Sequence, residues 1–239
     1  MVKILFTFSI IYAHRYSTRK HRIRQSIHTA TQYQIPKLRE DGISDCKNAE
    51  RFSCRHYKRA MKNLETFNSE QLEIVNNAVG MAEELVSNYY KMSASQWLRR
   101  RFDIKTLTDL DPEEVVHGPF AQIVRYEGRH RAHSLGSSTY DLYKICLQDH
   151  AILTTLNQQT DLQLFPFVLY IVTHELIHIV RFSKFLQYFD APHEERMAEE
   201  KRVHARTHEI LKPLQLRGLS VVLMFYNEWR IPYDDMKGS

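Results

Sequence analysis

The chain has 239 residues, of which 43% are hydrophobic, so it can bury a sizeable core as one domain with an extension. Its formal net charge is +5, but the charge is uneven. Residues 1–60 contain 13 Lys and Arg against 4 Asp and Glu, whereas residues 61–239 contain 20 against 24. The basic character therefore belongs to the first quarter of the chain and is weak evidence for nucleic-acid binding by the remainder.

The chain has three cysteines, Cys46, Cys54 and Cys146, and this odd count does not indicate a disulfide framework. No Cys-x-x-Cys pair is present, which also excludes a zinc site built from cysteines. Cys46 and Cys54 could pair, but nothing in the pattern requires it. A reducing cytoplasm is the simpler location for such a chain.

Residues 4–13 form an apolar run that is too short to cross a bilayer but has the length of a signal-peptide core. No clear small-residue cleavage site follows it. Membrane association or export through residues 4–13 is therefore the alternative to a cytoplasmic location. We predict that residues 1–60 form a basic extension that need not be ordered, and that residues 61–239 form the main domain.

The first predicted element of the main domain is a helix from Ser69 to about Lys91. Asn68 is a suitable N-cap, and Gln71 stands where a capping box requires it. Apolar residues then recur at helical spacing, which indicates a packed face. Residues 97–101 form a basic patch, and residues 107–116 are polar and turn-like.

Two strands are predicted next, at residues 120–127 and 140–147, because both segments are rich in aromatic and β-branched residues. The basic, glycine-containing residues 128–138 between them are either a solvated hairpin loop, which we favour, or a loop over a site. Helices are predicted at residues 151–157, from Pro166 onward, from Pro192 to residue 211, and at residues 214–230. This order predicts an α+β fold dominated by helix, with a small β-sheet.

The sequence His174-Glu175-Leu-Ile-His178 lies in the helix that begins near Pro166, within an almost wholly apolar segment. On a helix, residues four apart share one face, so both imidazoles can bind one metal ion, and Glu175 can reach a water on that ion. An apolar segment of this kind predicts a buried helix, in which two histidines and a glutamate need partners. The alternative is a core helix whose histidines are hydrogen-bonded to the backbone.

Residues 162–182, which contain this motif, are long enough to cross a membrane. Three ionisable groups at the centre of the segment favour a buried core helix instead, and we predict no firm membrane span.

A catalytic zinc site needs a third protein ligand besides the two histidines. The continuation typical of metzincins, with a further Gly and His, is absent after His178. In the helix at residues 193–211, Glu200 falls among the apolar positions, and a carboxylate there needs a partner. Glu200 is therefore a candidate third ligand, and His204 on the same side of the helix and Glu199 near it are further candidates.

On these residues the chain resembles the zincin metallopeptidases, and within them the gluzincins, over about residues 118–211. The resemblance implies two strands, a motif helix and a following helix that carries a glutamate ligand. It implies that His174 and His178 bind Zn²⁺ together with Glu200, and that Glu175 is the general base. It also implies hydrolysis of a peptide or protein substrate, with an extended peptide pairing against an edge strand within residues 120–127 or 140–147.

The chain departs from the family at one position. Many gluzincins have an Asp four residues after the ligand Glu, where it orients a ligand His. Here that position is His204, which could be a ligand, a donor to the substrate oxyanion or a surface residue, and His208 one turn on could share either of the first two roles.

Two other functions are weighed against hydrolysis. If Glu200 and His204 both bound the metal, four protein ligands would close the site, and the domain would be a zinc-stabilised interaction or regulatory module. Nucleic-acid binding through residues 14–60 and 99–101 ranks last, because few aromatic residues are interleaved there for base stacking. No specific nucleic acid is therefore expected as a partner.

Overall fold

The computed structural model describes residues 2–5, 64–93, 96, 102–129, 139–189 and 191–227. Met1–Ile11 and Glu65–Ser239 form one compact unit, and Tyr12–Leu64 form a second that lies outside the described residues except for Leu64. The predicted basic patch at residues 97–101 and most of the predicted loop at residues 128–138 also lie outside the description. Of the predicted extension 1–60, only a short strand is described.

The architecture is α+β, as predicted, with helices packed on one small mixed sheet. The elements in chain order are β1 (Val2–Leu5), α1 (Ser69–Tyr89), β2 (Phe102–Lys105), β3 (Ala121–Arg129), β4 (Thr139–Leu147), α2 (Asp149–Gln158), α3 (Leu164–Ser183), α4 (His193–Leu211) and α5 (Leu219–Phe225). Two short 3-10 helices, Leu107–Asp109 and Pro112–Glu114, precede β3.

The sheet has the order β1-β3-β4-β2. β3 pairs antiparallel with both β1 and β4, and β2 pairs parallel with β4. The predicted strands are thus confirmed as β3 and β4, but the expectation that one of them is an edge strand is wrong. Over Val124–Glu127 β3 is covered by β1, and over Phe102–Lys105 β2 covers β4, so the edges belong to β1 and β2.

Helix α1 begins as the sequence predicts. The Asn68 side chain accepts the Gln71 backbone N–H, and the Gln71 side chain accepts the Asn68 N–H, which completes a capping box. The helix ends at Tyr89, and Lys91 follows in the left-handed conformation with φ 51°. The last helix differs from its prediction at residues 214–230: it begins only at Leu219, because Gly218, with φ 80°, breaks the helical backbone ahead of it.

Helix α3 is the centre of the unit and is buried on every side from Pro166 to Val180. It is the one helix in the described part of the chain with the length and apolarity to cross a membrane, and 83% of its apolar window is buried by the rest of the chain. Phe120 and Phe225 both pack edge-on against Phe167 near the start of α3, and Tyr143 stacks on Phe182 near its end. α3 is therefore held between the sheet and the other helices.

Asp149, at the start of α2, joins three separate parts of the chain. Its Oδ2 accepts the Phe67 N–H at 3.1 Å, and its Oδ1 accepts the Leu107 N–H at 3.0 Å. All three groups are buried. The carboxylate thus connects the residue before the α1 cap and the first 3-10 helix to the start of α2.

We expect Asp149→Ala to lower the free energy of unfolding by about 2–4 kcal/mol, because it leaves two buried backbone N–H groups without an acceptor. Urea unfolding of the full chain measures the change. Asp161→Ala is the matched control, since Asp161 is exposed in the connection between α2 and α3, and it should change stability by no more than about 0.5 kcal/mol. Equal stability of the Asp149 variant and the wild type would contradict the anchoring role.

Candidate metal centre

The centre lies where α3 and α4 pack against each other. Arg181 of α3 contacts Glu199 of α4, and one to two turns back along α3 His178 and His174 contact Glu200. Further back, Tyr170 contacts His204. Since the contacts run backward along α3 as they run forward along α4, the two helices are antiparallel. Their facing sides bring together the residues that the sequence singles out.

Three potential ligands converge on one point. The Nε2 atoms of His174 and His178 are 3.1 Å apart, Glu200 Oε2 lies 3.2 Å from the first, and Glu200 Oε1 lies 3.3 Å from the second. Donors of a tetrahedral zinc ion, with bonds of about 2.0–2.1 Å, are about 3.3 Å apart. The spacing of the three side chains therefore fits a zinc ion.

The three ligand candidates are shielded from water. His174 and His178 are almost fully buried, and the Glu200 side chain is 12% exposed, which makes it the most accessible of the three. Among the described residues, His174 Nδ1 has no hydrogen-bond partner, and Glu200 Oε1 has only its ion-pair contact with His178. Buried polar groups at such a density are costly unless an ion or water satisfies them, which is further support for a metal at this point.

Electrostatics within the cluster follow from burial and from the carboxylate. Burial lowers the pKa of His174. Burial would also lower the pKa of His178, but the adjacent Glu200 carboxylate outweighs it and raises that pKa. Burial opposes ionisation of Glu200, yet the two imidazoles hold its pKa well below the usual range. Glu200 is therefore ionised and supplies negative charge to a cation between the histidines.

Glu175 lies one residue after His174 and is fully buried. No described residue donates a hydrogen bond to either of its carboxylate oxygens. Burial raises the pKa of Glu175 to about 8. A carboxyl group in this state can hold or release a proton near neutral pH, which is the property that a general base or acid requires.

The structure treats the two alternative ligands differently. Glu199 is not brought to the histidines: Arg181 contacts its carboxylate through Nε and, at 3.1 Å, through Nη2, and Arg202 contacts it at 3.1 Å. Two guanidinium groups thus hold the buried Glu199 carboxylate away from the cluster.

His204 does lie with the cluster. The ligand atoms of His174, Glu200 and His204 are all within 4.8 Å of one another. His204 Nδ1 is 2.9 Å from the Tyr170 hydroxyl. His208 is half-buried one turn further along α4 and is not among these three residues, and its carbonyl accepts the Lys212 N–H at the helix end.

Three side chains around the centre were not singled out from the sequence. Tyr170 contacts His204 and stacks on Tyr226 of the terminal segment, with ring centroids 4.0 Å apart. Gln187, in the connection between α3 and α4, lies 3.4 Å from His178 Nδ1. Tyr170 could have been found from its position four residues before His174 on one helix face. Helical spacing places Tyr226 on the apolar face of the last predicted helix but does not connect it with the centre, and no local pattern marks Gln187.

The chain matches no protein-family model, and no curated protein or solved structure is significantly similar to it. The resemblance to zincins therefore rests on the residues of the two helices alone.

The geometry separates the roles of two neighbouring glutamates in α4. We expect the wild type to bind about one zinc ion per chain, and Glu200→Ala to weaken that binding by more than about 100-fold, beyond the effect typical of an outer-shell partner. Glu199→Ala should keep the metal but lower the free energy of unfolding, because it leaves Arg181 half-buried without its carboxylate. Elemental analysis and chelator competition measure the metal, and urea unfolding the stability. Retention of zinc by Glu200→Ala would show that Glu200 is not a ligand.

Proposed function

We propose that the protein is a zinc-dependent metallopeptidase in which His174, His178 and Glu200 bind the metal and Glu175 is the general base. The observation that carries the proposal is the convergence of two Nε2 atoms and an ionised carboxylate at 3.1–3.3 Å, next to a buried carboxyl group with no described hydrogen-bond partner. A zinc ion bound by these ligands would supply a Lewis acid that activates water and polarises the substrate carbonyl.

The residues of the chain account for the remaining requirements. His174 and His178 offer ring nitrogens on one helix face, which bind a metal in their deprotonated form, and Glu200 balances part of the charge of a divalent ion. Glu175 would accept the proton of the attacking water and pass it to the leaving amine. The pKa of about 8 for the metal-free carboxyl would fall beside a cation, which favours the basic form.

Access to the centre limits the substrate. Because the ligand side chains are almost fully buried and Glu200 is the most exposed of them, a substrate carbonyl would approach past the Glu200 side of the cluster. An extended peptide segment would need less room for such an approach than the surface of a folded domain. We therefore propose unfolded segments of peptides or proteins as the substrate class.

We expect Glu175→Gln to keep the metal and to lower kcat for peptide hydrolysis by roughly 10²–10⁴-fold, since the amide cannot accept the proton of water. Cleavage of a mixed peptide library, followed by mass spectrometry, measures activity beside the zinc content of the same preparation. Glu195→Gln, an exposed glutamate of the same helix as Glu200, should leave both unchanged. Full activity of the pure Glu175→Gln protein would remove Glu175 from the base role.

A second function, a zinc-stabilised domain without catalysis, is favoured by one observation, the position of His204. Its ligand atom lies within 4.8 Å of those of His174 and Glu200, so it could occupy the fourth position of the metal. Four protein ligands would leave no place for water.

His204→Ala distinguishes these two functions. For an open, hydrolytic centre we expect the variant to keep its zinc within about a few-fold of the wild-type affinity, because three ligands remain. Loss of zinc in His204→Ala, together with loss in Glu200→Ala, would support the closed structural site. The electronic spectrum of the cobalt-substituted wild type reports independently whether the fourth position can exchange an added anion.

A further inference from the structure

The connection between α3 and α4 turns sharply just after the motif helix. Phe185 adopts the left-handed conformation with φ 56°. Its N–H donates to the Phe182 carbonyl, and the Leu186 N–H donates to the Arg181 carbonyl, both at 3.0 Å. These two bonds form a Schellman motif, which ends the helix and turns the chain back along it.

The turn divides the side chains of the connection into two groups. Phe185, Leu186 and Tyr188 point outward and are largely exposed. Gln187 points inward, and its Oε1 lies 3.4 Å from Nδ1 of His178, nine residues earlier. A residue from outside both helices therefore contacts the far side of the His178 ring, opposite the nitrogen that faces His174 and Glu200.

The orientation of the Gln187 amide has a direct consequence for His178. With Oε1 toward Nδ1, that nitrogen must carry the proton, which leaves the lone pair of Nε2 for a metal. With the amide reversed, Nδ1 would accept a hydrogen bond and the proton would sit on Nε2, where it would block a metal. The other amide atom, Gln187 Nε2, is buried and has no hydrogen-bond partner among the described residues, so it does not itself fix the orientation.

We propose that Gln187 is a positioning residue for the metal centre, which holds His178 in the tautomer and ring orientation that metal binding requires. It takes the part that an Asp after the ligand glutamate plays in many gluzincins, a position filled here by His204. The inference rests on the metal-binding half of the proposed function and does not depend on hydrolysis. The turn at Phe185, a non-glycine residue with positive φ, places the Gln187 amide next to the His178 ring.

The test compares zinc affinity, by chelator competition with the full chain, for three substitutions at this position. Gln187→Leu removes the acceptor and should weaken zinc binding by roughly 10–100-fold, the usual effect of losing an outer-shell partner. Gln187→Asn shortens the reach and should also weaken it. Gln187→Glu keeps an acceptor and should bind zinc at least as tightly as the wild type. Gln215→Leu, at an exposed position between α4 and α5, is the control and should have no effect.

Recovery of affinity in Gln187→Glu separates positioning from packing, because a role in packing alone would not distinguish a carboxylate from leucine in this way. Wild-type affinity in Gln187→Leu, or equal weakening in Gln187→Leu and Gln187→Glu, would overturn the inference while leaving the metal site intact. Absence of zinc binding by the wild type would instead overturn the proposed function, and this inference with it. Urea unfolding of the metal-free variants shows whether each variant folds. If Gln187→Leu does not fold, Gln187→Asn is compared with Gln187→Glu instead.

Discussion

The register between α3 and α4 is the constraint on which the rest of the structure depends. The centre exists only because His174 and His178 face Glu200 across the antiparallel pair, and a shift of one residue in either helix would turn the carboxylate away from them. The contact of Arg181 with Glu199 lies one turn from the cluster and reinforces this register, because guanidinium groups from both helices contact Glu199. Two successive glutamates therefore have different contacts: Glu199 contacts the arginines, and Glu200 faces the histidines.

The helices must be held in this alignment because burying the charged groups of the cluster costs free energy. Ionised Glu200 and the buried carboxyl of Glu175 lie in one region from which water is almost excluded, and burial makes the charge of each costly. The imidazoles offset part of that cost for Glu200 but leave Glu175 with a raised pKa. Packing around α3 holds these groups together, and a divalent cation would lower the cost for all of them. The apolar core therefore holds these polar groups together.

The features that depend on residues close together in the sequence could be predicted, whereas those that depend on distant residues could not. The cap at Asn68, the motif in α3 and the placement of Glu200 on the inner side of α4 follow from local patterns, because helix periodicity alone determines which residues share a face. β1 and β2 were missed because each has only four residues, too few for an alternation to be seen. β1 and β2 are recognised as strands only through their pairing with β3 and β4. Without them, the two central strands were predicted to include an edge strand.

The environment of His178 depends on longer-range geometry. Gln187 reaches the ring because a non-glycine residue, Phe185, adopts a left-handed conformation, and sequence patterns assign that conformation to glycine or asparagine. The ion pairs of Glu199 could not be predicted either, because the partner Arg181 lies on a different helix. Burial of a carboxylate on a helix face indicates that it has a partner, but does not indicate whether that partner is a metal or an arginine.

The same reasoning about tautomers applies to His204 and relates the two candidate functions to one hydrogen bond. If the Tyr170 hydroxyl donates to Nδ1, then Nε2 carries the proton, and His204 can donate to a substrate oxyanion but cannot bind the metal. If Nδ1–H donates to the hydroxyl oxygen, Nε2 is available as a fourth ligand. Tyr170 stacks on the buried ring of Tyr226, whose own hydroxyl has no hydrogen-bond partner among the described residues. The Tyr170 ring is thus held by its stacking on Tyr226, and the direction of its hydrogen bond with His204 distinguishes the proposed open centre from the proposed closed one.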